Sequence, residues 1–160
     1  MTRKRKTLDA VDCTLLKLLQ EDADRPAATL GRLLGISASS VQRRISALKR
    51  SGVIERFAAV VAPDQVDRRL LFLIDVSCDR EDVATVTRFK RRMLAAPEVL
   101  QCYHVTGEHT FVLLVSLASM EAFTRFAEDL CADGGGVRKI VTSAVMGQVK
   151  APVVVPVEPN

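Results

Sequence analysis

Residues 29–48, TLGRLLGISASSVQRRISAL, constrain this chain more than any other stretch, because they read as helix, tight turn, helix. Gly35 supplies the positive φ that a sharp helix exit needs. Ser37 follows as an N-cap, its hydroxyl placed to accept from an orphan backbone N–H of the next turn. Val41, Ile45 and Leu48 then recur at i, i+4, i+7 and make one narrow apolar stripe. At roughly 100° per residue, Ser39, Arg43, Ser46 and Arg50 fall on the opposite side. That side carries small hydroxyls and guanidinium groups and no acid. Short side chains let a helix backbone approach a duplex closely, and Arg offers a two-pronged fork for guanine edges. The bland alternative is a surface helix with a solvated Arg/Ser face, and the helix alone leaves both open.

The charge distribution weighs for the first. Residues 1–56 hold twelve Lys/Arg against six Asp/Glu, whereas residues 57–160 hold eleven against thirteen. A basic N-terminal third on a mildly acidic remainder fits a polyanion-binding module joined to something else. Aromatic residues are only 4% and Trp is absent, which argues against stacking on single-stranded nucleic acid. At 160 residues, 48% of them apolar, the chain has material for one domain or two small ones. Cys13, Cys78, Cys102 and Cys131 have no metal-clamp or redox spacing and read as reduced core residues. The basic start leads into an amphipathic helix rather than an apolar leader. No apolar run reaches the roughly 18 residues of a membrane span. A cytoplasmic protein with no membrane partner is the expectation.

Along the chain, residues 1–7 form a basic arm suited to weak phosphate attraction. A first helix is expected over 8–21, burying Leu8, Val11, Leu15, Leu18 and Leu19, with Asp9 at its favoured N-terminal end. A second, over 26–34, starts at Pro26 and buries Ala27, Leu30, Leu33 and Leu34. With the third it makes a trihelical unit. Residues 53–61 are strand-like and serve as the wing, and 62–69 are the linker. The rhythm then changes to strand 70–78, helix 80–96, strand 99–106, a turn at 107–109, strand 110–117, helix 120–131 capped by Ser119, a Gly-rich loop and strand 137–149. Val83, Val86, Phe89, Met93 and Leu94 are the inward residues of one helix, and Met120, Phe123, Phe126 and Leu130 those of the other. The order βαββαβ is a split βαβ of ferredoxin-like type. The fold class is thus α+β: a winged helix-turn-helix over 1–61, a ferredoxin-like domain over 70–150, and a Pro-punctuated tail over 151–160.

No catalytic set assembles. Gly134-Gly135-Gly136 lacks a Lys-Ser/Thr follower and precedes a strand, so it is a turn and not a phosphate loop. His104 and His109 have no nearby carboxylate except Glu108, and strand and turn positions are their ordinary reading. No metal site and no cofactor are expected.

Four segments, LDAVDCTLLKLLQEDAD, ATLGRLLGISASSVQRRISALKRSGVIERF, VLQCYHVTGEHTFVLLV and GVRKIVTSAV, resemble the Lrp/AsnC family of transcription regulators over about residues 8–150. The resemblance implies a winged helix-turn-helix followed by an effector and oligomerisation domain, with dimers assembling into octamers on duplex DNA. The DNA contacts expected from the face and ends of the third helix are Ser37, Ser39, Ser40, Gln42, Arg43, Arg44, Ser46, Lys49 and Arg50. Arg43, central on the outward face, is assigned to bases; Arg44, Lys49 and Arg50 are assigned to phosphates. The resemblance also implies an amino-acid or related effector between dimers, near Val105, Thr106, Gly107, Glu108, His109 and Thr110. The family turn reads Gly-acid-x-Asp, and this chain has Thr110 where the Asp stands. That acid is the natural partner of an effector ammonium. A second class is open: siroheme decarboxylases look similar and act as enzymes through His and basic residues, and His104 and His109 are the histidines this chain has for that role.

Overall fold

The computed structural model describes residues 7–67, 70–80, 82–132, 136–150 and 154–159, the side chains of 63 and 64 excepted. The basic arm before residue 7 and Gly134-Gly135 lie outside the described residues. The chain divides into two compact units. One holds Met1–Val60 with Lys150–Asn160, and the other spans Val61–Val149.

The first unit is built on α1 (Ala10–Glu21), α2 (Ala27–Leu34) and α3 (Ala38–Arg50). Leu15, Leu16, Leu19, Leu30, Val41 and Leu48 form its buried core, so each helix contributes one stripe. Leu16 joins that core beyond the expected stripe, while Leu33 is 60% exposed. The wing expected over 53–61 does not form a strand, and the first unit has no strand among its described residues. A β-rich segment makes a ladder only when another strand offers its N–H and C=O groups. Here Val53 and Ile54 donate instead to the Leu48 carbonyl and finish α3.

The second unit is one antiparallel sheet of β1 (Leu70–Cys78), β2 (Val99–His104), β3 (Phe111–Leu117) and β4 (Val137–Ala144), in the order β2-β3-β1-β4. Two helices, α4 (Val83–Ala95) and α5 (Met120–Cys131), connect the strands in the βαββαβ order. Phe72, Ile74 and Val76 alternate along β1 with Leu73 and Asp75, and Phe111, Leu113 and Val115 alternate along β3. Period-2 alternation puts the first set on the helix-covered face. Two aromatic stacks pin the helices there: Phe89 of α4 on Phe111 at 4.3 Å, and Phe123 of α5 on Phe72 at 4.5 Å. β4 ends at Ala144 rather than running to residue 149. The apolar ends of the helices differ from expectation too: Val83, Leu94 and Met120 are exposed. Each lies at or near a helix end, where the stripe runs past the core it covers.

Cys13 and Cys78 are buried, but Cys102 and Cys131 are exposed, so only two of the four cysteines are core residues. No helix among the described residues is long and apolar enough to cross a membrane.

Candidate functional site

The turn between α2 and α3 is set by three small residues. Gly35 ends α2 in the left-handed region, at φ 67° and ψ 30°. Gly31, one turn earlier, lets the chain fold back closely: a Cβ there would sit 2.6 Å from the Ile36 carbonyl oxygen, while the Ile36 N–H donates to the Gly31 carbonyl at 3.0 Å. The importance of Gly31 has no signal in the helical pattern, where Gly is merely a weak former. Ser37 then caps α3, its hydroxyl oxygen accepting from the Ser40 N–H at 3.2 Å. The Ser37 hydroxyl in turn donates to the Ser40 hydroxyl at 2.9 Å, and the Ser39 hydroxyl lies 3.0 Å from that of Ser37. Ser37 and Ser40 are therefore tied into the cap, and Ser39 stands at its outer edge.

With Val41 and Leu48 fully buried, α3 presents Ser39, Gln42, Arg43, Ser46, Lys49 and Arg50 to solvent. No acidic side chain interrupts this face. The Lys49 ammonium lies 4.3 Å from the Phe57 ring centroid, a cation–π contact that holds the side chain beside the helix end.

Arg44 does not belong with this set. Its guanidinium donates through Nη1 to Asp9 at 2.6 Å and to Asp12 at 2.8 Å, and its side chain is only 30% exposed. Three positions from Val41 is about 60° around the helix, so Arg44 leans toward the buried stripe rather than away from it. The phosphate role expected of Arg44 competes here with an internal one, in which it ties α3 to the start of α1. Asp9 is both the N-cap of α1 and an Arg44 partner. The Asp12 N–H, and then Arg44, hold the Asp9 carboxyl below its usual range. The signal in the sequence was the pair of acids three apart at the head of α1, which is too common a pattern to name a distant partner.

The second candidate site is the reversal between β2 and β3. Val105 donates its N–H to the Thr110 carbonyl at 3.1 Å, closing a short loop in which Gly107 takes φ 125°. Thr106, Gly107 and Glu108 are exposed, and Val105 and His109 are half-buried. His109 Nδ1 lies 3.2 Å from the Ser77 hydroxyl, which moors the loop to β1. Thr110 is 2% exposed. Its N–H donates to the Val76 carbonyl at 2.8 Å and its hydroxyl accepts from the Cys78 N–H at 3.1 Å. Thr110 is thus a structural residue of the sheet end, which corrects the expectation that it presents a polar group to a ligand. His104 stacks on Phe111, ring centroids 4.9 Å apart, on the helix-covered side of the sheet. Neither histidine has a catalytic partner in these contacts.

Known proteins agree with this architecture. The model of the AsnC-type helix-turn-helix domain matches residues 8–49, and that of the Lrp/AsnC ligand binding domain matches residues 71–155. An HTH-type transcriptional regulator of Sinorhizobium fredii is 33% identical over 151 residues, covering 94% of this chain and 89% of the relative. A transcriptional regulator from Neisseria meningitidis, crystallised with L-methionine, superposes with a TM-score of 0.87 at 30% identity, covering 94% of this chain and 97% of that one. An AsnC family transcriptional regulator from Agrobacterium tumefaciens superposes with a TM-score of 0.86 at 26% identity, covering 93% and 97%. These relatives are named as regulators and give the decarboxylase alternative no support. An AsnC-type helix-turn-helix with a four-stranded ligand-binding unit behind it, matched over almost its whole length, places this chain in the Lrp/AsnC family of transcriptional regulators.

Proposed function

We propose that this regulator reads duplex DNA as a homo-oligomer and responds to an amino acid or a related small metabolite. The observation that carries the DNA part is the outward face of α3, where Ser39, Gln42, Arg43 and Ser46 are exposed on a helix whose other side is locked into the core. Arg43 is central on that face and reads base edges, while Lys49 and Arg50 at its far end neutralise phosphates. The small hydroxyls at the helix start permit close approach.

The effector part is supported by likeness to the Neisseria regulator that was crystallised with L-methionine. At the β2–β3 loop Glu108 is the exposed acid, and it is the counter-charge for a ligand ammonium. Thr110 has its hydroxyl engaged with the backbone and cannot take that role. His109, beside it, is the group that meets a ligand carboxylate. The dimer is supported by a sheet face that no helix among the described residues of its own unit covers, and an octamer built from such dimers extends the same reading. The setting is cytoplasmic, and the role is binding rather than catalysis.

Selection of bound genomic fragments, with and without the twenty amino acids, tests this reading. The expected result is a defined motif whose recovery changes with one amino acid or its relative, and a Glu108→Ala variant that selects the same motif but has lost the response. Recovery no better than random fragments would sink the DNA reading. A response that survives Glu108→Ala would move the effector away from this loop.

A further inference from the structure

Residues 154–159 leave the sheet unit and lie within the DNA-reading unit. Gln20, in the last turn of α1, holds them by one peptide. Its Nε2 donates to the Val155 carbonyl at 3.0 Å, and its Oε1 accepts from the Val155 N–H at 2.7 Å. A carboxamide offers one donor and one acceptor side by side, so it grips residue 155 as a neighbouring strand would. Two residues on, Val157 is half-buried against the core cluster that contains Leu16, Leu19 and Leu30. Pro156 lies between them. It has no N–H to leave unbonded, and it restricts Val155 before it to extended conformations. The segment therefore gives up little freedom on docking. Val155 edges a groove of about 510 Å³ that Leu16, Leu19, Val53, Ile54 and Phe57 line.

We propose that the face of α1 around Gln20 is a peptide-docking surface whose occupant is the chain's own segment 154–159, and that the docked segment acts as a strap on the DNA-reading unit. The cluster Val157 packs against also holds Val41 and Leu48, the buried anchors of α3. Strap docking and the seating of the reading helix are thereby linked. The chain passes between its two units twice, at residues 60–61 and again at 149–150.

Amide hydrogen exchange on the full chain tests the strap. Gln20→Glu keeps the acceptor and removes the donor, Val157→Asp removes the apolar anchor, and Glu158→Ala changes an exposed neighbour as control. The amides of α1 and α3 should exchange roughly three- to tenfold faster in the first two variants and at the native rate in the third. Native rates in both Gln20→Glu and Val157→Asp would overturn the proposal. In a chain truncated after Lys150, the synthetic peptide VVVPVEPN should restore protection and a scrambled peptide should not; failure of the native peptide would overturn it as well. Gln20→Cys with Val155→Cys, in a chain whose Cys102 and Cys131 are replaced by Ser, should cross-link through a short bismaleimide into a monomer-sized product. A dimer-sized product would show that the Gln20 face takes the segment of a second copy, against the intrachain strap.

Discussion

Arg43 and Arg44 are neighbours in sequence and opposites in surroundings. Arg43 is exposed and Arg44 is held by two carboxylates. Arg43→Ala should cost about 1–3 kcal/mol on the specific site and relax preference at one base pair, measured by titration against specific and random duplexes. Equal losses on both would reduce Arg43 to a phosphate contact. Lys49→Ala should lower the slope of log affinity against log salt by about one unit. Arg44→Ala should leave that slope unchanged and instead remove about 1–3 kcal/mol of folding stability, through two lost charge-assisted hydrogen bonds. A reduced salt slope in Arg44→Ala would return it to the phosphate set. The same pair sets an acid limit. The Asp12 N–H and Arg44 lower the Asp9 pKa below its ordinary 3.8. A depressed folded value contributes stability that is fully present above the unfolded value and is lost as pH falls through the folded one. Melting curves of the native protein and Asp9→Ala should therefore differ most near neutrality and converge as pH falls below the ordinary 3.8 of an aspartate. A difference independent of pH would mean that Asp9 acts only by packing.

At the scale of elements, the helix-turn-helix depends on a close approach that helix propensity would predict the other way. Gly→Ala inside a helix ordinarily gains up to about 1 kcal/mol. At Gly31 the added methyl meets a backbone carbonyl oxygen at 2.6 Å, and backbone cannot swing aside as a side-chain tip can. Overpacking of this kind costs about 1–3 kcal/mol, so Gly31→Ala should be net destabilising in chemical denaturation. A stabilised variant would mean that the turn relaxes at no cost. Much at this scale was legible in the residues. Ser37, Gly35 and Ser119 sit where their cap roles require, and the βαββαβ order follows from hydrophobic period and turn residues. The wing was not legible. Residues 53–61 have strand composition, but composition cannot supply a second strand to pair with. The helix expected from residue 80 starts instead at Val83, capped by Asp82, which accepts from the Thr85 N–H at 2.8 Å.

At the scale of the molecule, the sheet raises a question of cover. α4 and α5 occupy one face, while Leu73, Tyr103 and Val141, whose register places them on the other, are 43%, 52% and 38% exposed. An antiparallel sheet with apolar residues on both faces needs a second layer. The full chain should be dimeric or larger by light scattering at micromolar concentration, and Leu73→Glu should shift it toward the monomer while leaving its helix and strand content intact. A native monomer at that concentration would refute self-association through this face.

What the residues determined alone is what is local: helix stripes of period 3.6, strands of period 2, caps that bond three residues away, and glycines at turns of positive φ such as Gly35 and Gly107. Each depends on neighbours a few positions along the chain, so spacing is enough to read it. What only the tertiary structure decided is what joins distant positions. Arg44 meets acids 35 and 32 residues earlier, Thr110 meets Cys78 32 residues earlier, and Val155 meets Gln20 across 135 residues. An arginine, a threonine and a valine carry no mark of their partners. The same groups serve a surface or a core equally well until the chain has closed around them, and closure fixes which face of α3 is free to meet DNA.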